Sequence, residues 1–145
     1  MSFTSEECFK GGLLRRIPQA LADAEEELRA AKEWLGEAGK NIGAEAYKSA
    51  IISAYNAMFH AGRAILIRNG VRERSHFCVA RYLEDFYAKK GVLEKKWVEL
   101  LDFYREMRHE DQYAASFVAT EKDAKGALVA AKEFAERMKA LMETV

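Results

Sequence analysis

Ser53-Ala54-Tyr55-Asn56-Ala57-Met58-Phe59-His60-Ala61-Gly62-Arg63-Ala64 lies inside a proline-free run from about Ala44 to Asn69. Advancing each residue by 100° places Tyr47, Ala50, Ile51, Ala54, Met58, Ala61 and Ile65 on one broad face. Ser49, Ser53, Asn56, His60 and Arg63 fall opposite, within about 40° of one line. A helix that is apolar almost all round must be enclosed by others, so this run predicts the central helix of a helical protein. The remaining polar stripe has two readings. Polar residues usually face water, which makes it a solvated strip. Solvated strips are normally rich in Lys and Glu, however, whereas Ser, Asn and His lose less rotamer freedom on ordering and suit a groove or a subunit interface.

Outward from this helix the same chemistry continues. Pro18 is the one proline of the chain, and Ala, Leu, Glu, Lys and Arg dominate. No stretch alternates apolar and polar residues between turn markers, so strands are not expected. Gly36, Gly39, Gly43, Gly70 and Gly91 mark places where helices plausibly end. The first helix is expected from about Pro18 to Leu35, with a seam of Ile17, Leu21, Ala24, Leu28, Ala31 and Leu35. A third opens at the N-cap candidate Ser75 and closes before Gly91. A fourth runs from about Glu94 to Ala115. A fifth opens on the capping-box-like pair Thr120 and Asp123, with Ala127, Leu128, Ala131, Phe134, Ala135, Met138, Leu141 and Met142 as its apolar seam. Short connections imply antiparallel neighbours. The expected fold is all-α: an antiparallel up-and-down bundle of four main helices plus a shorter one, as a single domain over 1–145 with 1–16 loosely held.

The 145 residues carry 23 basic and 23 acidic side chains, so no whole-chain charge marks a nucleic-acid coat or an acidic tail. Cys8 and Cys78 are too few for a disulfide framework and sit in no metal-ligand spacing. A reducing cytoplasm is the expected compartment. No secretory signal is expected, since Glu6 and Glu7 have no apolar run behind them, and the uncharged stretch Ser49–Gly62 is too short and too polar on one side to span a bilayer. Neither a metal nor a cofactor motif occurs: His60, His76 and His109 lack a metal spacing, and no phosphate-binding Gly-rich loop is present.

Two further clusters carry chemistry. Between His60 and Arg81 stand Arg63, Arg68, Arg72, Arg74 and Arg81 against the single acid Glu73. With Ser75 at a helix start, Arg72, Arg74, Ser75 and His76 make an anion-binding turn, since Arg forks match phosphate and free N–H groups point outward there. The competing reading pairs these arginines with the acidic first helix. Farther on, Trp97, Leu100, Tyr104 and Met107 define a core-facing side on which Asp111 falls centrally, with Arg108 at its edge. A carboxylate there needs a cation or donors, and Arg108 is the nearest candidate. The functional alternative sets this cluster across a cleft from the polar stripe.

The string Ser53–Ala64 resembles the long-helix signature of small stand-alone prokaryotic HEPN domains. Arg72-Glu73-Arg74-Ser75-His76 resembles the turn after that helix, and Arg108 through Tyr113 resembles the family's arginine-to-aspartate-tyrosine motif. The likeness covers roughly 20–142. It implies a helical homodimer whose polar stripes line a cleft near the two-fold axis. Many HEPN domains are metal-independent ribonucleases, with an Arg and a His set more widely apart than Arg105 and His109, which have three residues between them. Relatives of the stand-alone type have Asp before the Tyr, where this chain has Gln112, and Asp111 is displaced by one position. Without a suitably placed histidine, general acid–base cleavage loses its usual agent. Tyr113 is a poor base at neutral pH.

The expected function is therefore a non-catalytic HEPN-like protein that binds RNA or a nucleotide, or that pairs with a minimal nucleotidyltransferase in a toxin–antitoxin-like module. Asn56, His60, Arg63, Arg108, Asp111, Gln112 and Tyr113 are its candidate ligand contacts. One alternative is a degenerate ribonuclease toxin using Arg108 with His109 or His60. The other is a structural helical dimer with no ligand. A homodimer is expected on packing grounds as well, because several apolar faces exceed what one small bundle can cover.

Overall fold

A computed structural model of the chain describes residues 3–144. Six α-helices carry it: α1 (Ser5–Lys10), α2 (Leu21–Gly43), α3 (Tyr47–Arg68), α4 (His76–Leu83), α5 (Lys95–Tyr113) and α6 (Glu121–Glu143). Two three-residue strands, β1 (Leu14–Arg16) and β2 (Val71–Glu73), pair antiparallel, with Leu14 opposite Glu73 and Arg16 opposite Val71. The all-α class is as the helical periodicity requires, with α2, α3, α5 and α6 as main helices and α4 as the shorter one.

α3 is the centre of the molecule. It packs along α2 and α6 and against α4 and α5. Among the described residues it is also the helix long and apolar enough to cross a membrane, yet 78% of its apolar window is buried inside the fold. Its apolar faces are thus spent on neighbouring helices. Gly62 allows a close approach to α4: a Cβ there would sit 3.2 Å from Val79 Cγ1. Gly70, at φ +77°, turns the chain out of α3, where a Cβ would meet the Ile17 carbonyl at 2.8 Å.

Several boundaries differ from the sequence expectation. α2 does not stop near Leu35 but runs through Gly36 and Gly39 to Gly43. Both internal glycines face open space, and Ala31 and Ala38 on the inner side are buried, so packing overrides the low propensity of glycine. The third helix ends at Leu83 and continues as a π-helical turn, Glu84–Ala88. Ser75 is its N-cap in extended conformation, but its hydroxyl makes no capping bond. Thr120 and Asp123 do form the full capping box of α6. The strands were missed because three residues are too few to show alternation.

The N-terminal segment, expected to be loose, is folded over its described part. Thr4 and Glu7 cap α1 reciprocally, and the Ser5 backbone N–H donates to Asp85 Oδ2 at 2.8 Å. Cys8 is disulfide-bonded to Cys78 of α4, both sulfurs lying in fully buried residues. The cysteine count excluded a framework and pointed to a reducing compartment; it did not anticipate this single staple.

Candidate functional site

The polar stripe of α3 faces α2. Ser53 Oγ donates to Asn41 Oδ1 at 2.9 Å, and His60 Nδ1 lies 2.5 Å from Glu27 Oε2. Arg63 grips Glu73 with two bonds, Nε to Oε1 and Nη2 to Oε2, each 3.0 Å, and its Nη1 reaches Glu27 Oε1 at 3.3 Å. Burial works to raise the Glu27 carboxyl, but the His60 hydrogen bond and the Arg63 and His60 charges outweigh it and hold it below the usual range. Arg63 and His60, expected as ligand contacts, are thus bonded within the chain to Glu73 and Glu27. The physical reason is local: Glu73, the lone acid of the basic stretch, and Glu27 of the acidic helix both come within reach. Asn56, half-buried beside them, makes no hydrogen bond among the described residues.

The other flank of α3 meets α4 and α5. Tyr55 Oη and His76 Nδ1 share a hydrogen bond of 3.0 Å, and the His76 ring stacks on Phe59 with centroids 3.8 Å apart. The Arg108 guanidinium stands 4.9 Å from the Tyr55 ring centroid, and Arg63 stands 4.4 Å from that of Phe59. Burial pushes the Tyr55 phenol up to about 12, partly opposed by the charge of Arg108. Burial, then the Arg108 charge, push the His76 imidazole down to about 4. Both groups are neutral at physiological pH. His76, expected in the anion-binding turn, is half-buried with its Nδ1 bonded to Tyr55 and its ring stacked on Phe59.

Arg108 differs from its neighbours. Arg81 and Arg105 converge on Asp102, and both guanidiniums also lie over the Phe77 ring. Arg108 has no carboxylate within salt-bridge distance among the described residues; its Nη1 donates to Gln112 Oε1 at 3.3 Å and its buried Nε has no partner. It does not bond Asp111, contrary to the pairing expected from their spacing.

Asp111 is fully buried, with neither carboxylate oxygen partnered. Burial raises its pKa, the Lys48 charge opposes this and the Asp123 charge adds to it. Its full burial sets it apart from the exposed Gln112, His109 and Tyr113. Of the remaining candidates, Gln112 is exposed and oriented by Arg108. His109 and Tyr113 are exposed too, with ring centroids 4.9 Å apart. Arg74 is exposed, and Arg72 Nε lies 3.7 Å from Glu73 Oε1.

The structure thus joins Arg108, Gln112 and His76 and adds two residues the sequence did not single out, Tyr55 and Phe59. Nothing in their spacing distinguishes them from core aromatics. Arg63 lies on the far side of the same aromatic stack but is already neutralised. Among the described residues no group of three His, Cys, Asp or Glu side chains is placed to hold a metal ion.

The sequence model described as the HEPN domain matches residues 24–141. The chain is also similar to a protein of Methanocaldococcus jannaschii named "Putative toxin", with 25% identity over 133 residues, covering 91% of this chain and 93% of that protein.

Proposed function

The chain belongs to the HEPN domain family, and from that premise we propose that it is a toxin-like member that binds a phosphate of RNA or of a nucleotide at Arg108 without cleaving it. The name of the archaeal relative supports the toxin-like reading. The observation that carries the phosphate site is the guanidinium of Arg108, which among the described residues has no carboxylate within salt-bridge distance while Arg63, Arg81 and Arg105 are each paired. Tyr55 braces its face, Gln112 fixes one end, and neutral His76 is hydrogen-bonded to the Tyr55 hydroxyl. Such a fork, partly desolvated, favours a doubly hydrogen-bonded phosphate.

Cleavage would need one group to take the 2′-OH proton and another to give a proton to the leaving oxygen. His60 is bonded to Glu27, and His76 is bonded through Nδ1 to Tyr55. His109 follows Arg108 directly and turns to Tyr113. These commitments support a binding protein over a ribonuclease. The resemblance to stand-alone HEPN proteins also supports a separately encoded minimal nucleotidyltransferase as partner, which co-purification on co-expression would test.

Arg108→Ala decides the phosphate reading. A charge-assisted bond contributes roughly 1.5–3 kcal/mol, so binding of a short single-stranded RNA or of a nucleoside triphosphate should weaken by about ten-fold or more. Wild-type binding should itself fall as salt rises. Because Arg108 holds no carboxylate, the melting temperature should change little. Unchanged binding sinks the reading in favour of a purely structural dimer. RNA cutting in EDTA that stops on replacing Arg108 or His76 replaces it with a ribonuclease.

A further inference from the structure

The ribbon β1–β2 sets two like charges directly against each other. Arg15 of β1 pairs with Arg72 of β2, between the pairs Leu14–Glu73 and Arg16–Val71. Leu14, Val71 and Glu73 are buried, so side-chain alternation turns Arg15 and Arg72 to the opposite, outer face. The ladder continues by one bond, from the Arg74 N–H to the Leu13 carbonyl at 2.8 Å. Arg74, two residues beyond Arg72, therefore falls on the outer face as well. Arg15 and Arg74 are exposed, and the Arg72 side chain is 42% exposed.

Like charges directly opposite destabilise a ribbon, whereas an opposite-charge pair would stabilise it. Among the described residues nothing compensates this one. Arg15 and Arg74 have no carboxylate within salt-bridge distance, and none of the three guanidiniums makes a hydrogen bond. The acid between Arg72 and Arg74, Glu73, gives both its oxygens to Arg63 at 3.0 Å and lies 3.7 Å from Arg72 Nε. Arg16, the other arginine of β1, is held elsewhere, over the Phe9 ring at 4.5 Å from its centroid. The cluster is also fixed in place: β1 is anchored by the buried Leu14 and, through α1, by the Cys8–Cys78 link. Arg15 precedes residue 24, where the family match begins, so it comes from outside the stretch that match covers.

We propose that the outer face of this ribbon is a binding site for a pyrophosphoryl group, a chain of adjacent phosphates. Directly opposite residues have Cβ atoms about 4.5–5.5 Å apart. Two guanidiniums so placed can close on one compact anion, with Arg74 as a third fork beside them. Each fork matches phosphate oxygens with paired N–H donors. A single phosphodiester brings one negative charge, which leaves most of the cluster unopposed. Adjacent phosphates bring more than one charge into the same span. α4 begins just after Arg74, and its N-cap Ser75 makes no capping bond, so the positive end of that helix adds to the field. A free nucleoside triphosphate and the 5′-triphosphate end of an RNA both carry this group. The site shares no residue with that at Arg108 and does not rest on what Arg108 binds.

The test is calorimetric titration of the full chain, wild type and Arg108→Ala, with pyrophosphate, inorganic phosphate and a short RNA lacking terminal phosphates. Arg108→Ala removes the other phosphate site, so what it retains belongs to the ribbon. It should bind pyrophosphate about ten-fold or more tightly than either of the other probes, and less tightly as salt rises. Adding Arg15→Ala or Arg74→Ala should weaken this binding by about ten-fold. Arg15→Glu should abolish it and yet raise the melting temperature, because an attracting cross-strand pair replaces a repelling one. A nucleoside triphosphate titrated against a 5′-triphosphorylated RNA tells the two sources apart: the natural ligand is the one bound more tightly. Failure of Arg108→Ala to bind pyrophosphate overturns the proposal, as does binding that survives Arg15→Glu. An RNA without terminal phosphates bound as tightly as pyrophosphate replaces it with an RNA-backbone site. A lowered melting temperature in Arg15→Glu makes Arg15 a part of the fold rather than of a site, and overturns it too.

Discussion

Asp111 and Arg108 sit three residues apart on α5 and have opposite fates. Arg108 keeps a charge that the fold leaves unopposed, whereas Asp111 has its carboxyl fully buried with no donor to accept from. Burial raises the folded-state pKa of Asp111 above its unfolded value, so the folded state binds the extra proton. The linkage sign follows: stability falls as pH rises from the ordinary carboxylate range through the raised value, and stays lower above it. Asp111→Asn is isosteric and uncharged. It should stabilise the protein by about 1–3 kcal/mol at pH 7, with the gain vanishing below about pH 4, as read by denaturant titration at the two pH values. RNA or nucleotide binding should be unchanged. A variant less stable at neutral pH would show that the charged carboxylate has a partner after all. The sequence made Asp111 conspicuous but misassigned its partner, because helix spacing brings Arg108 near without fixing where its guanidinium points. It also hid Tyr55, which reads as one more core aromatic until His76 arrives from another helix.

At the scale of elements, the main helices were legible wherever one apolar seam repeats, as in α3 and α6. Their ends were legible where a capping pair marks them, as at Thr120 and Asp123. Glycine misled in α2, where Gly36 and Gly39 read as stops but lie on the outer face of a continuing helix. The reversal to α3 uses Glu45 instead, at φ 60°. Since a Cβ at Gly36 or Gly39 would meet nothing within 4 Å, alanine at either position should only restrict the unfolded chain. Each substitution should stabilise by about 0.4–1 kcal/mol, measurable as a raised melting temperature. Gly62→Ala is the contrasting case on α3. Its Cβ would press on Val79 at 3.2 Å and lie within 4 Å of Leu83 and Leu101, so it should destabilise by about 1–3 kcal/mol. If Gly62→Ala were as stabilising as the α2 pair, α4 would not be seated against α3 as described.

For the whole molecule, zero net charge is neutralised inside the chain only in places: Arg63, Arg81 and Arg105 are paired with carboxylates, whereas Arg108 has none in salt-bridge distance among the described residues. The covalent link adds a constraint of a different kind. Residues before α2 all lie outside the HEPN match, which starts at residue 24. They are nevertheless joined to α4 by Cys8–Cys78, by the ribbon β1–β2 and by Ser5 on Asp85. Closing a loop across a sequence separation of 70 residues restricts the unfolded chain. The chain-entropy treatment puts this at about 4 kcal/mol, an upper figure for a link that fits the native geometry. Replacing both cysteines by alanine should therefore lower stability by about 2–4 kcal/mol in denaturant unfolding. Since both residues are fully buried, a dithiol reductant should act slowly on the native protein and fast on the unfolded one. The site supplies a second readout. His76 starts the helix that holds Cys78, but its place is also set by Phe59 stacking and the Tyr55 bond. Loss of the link should thus loosen α1 while leaving phosphate binding at Arg108 within a few-fold of wild type, because α4 remains seated by its own buried residues Val79, Tyr82 and Leu83. A loss of binding as large as that in Arg108→Ala would mean that the staple, rather than the core, positions α4.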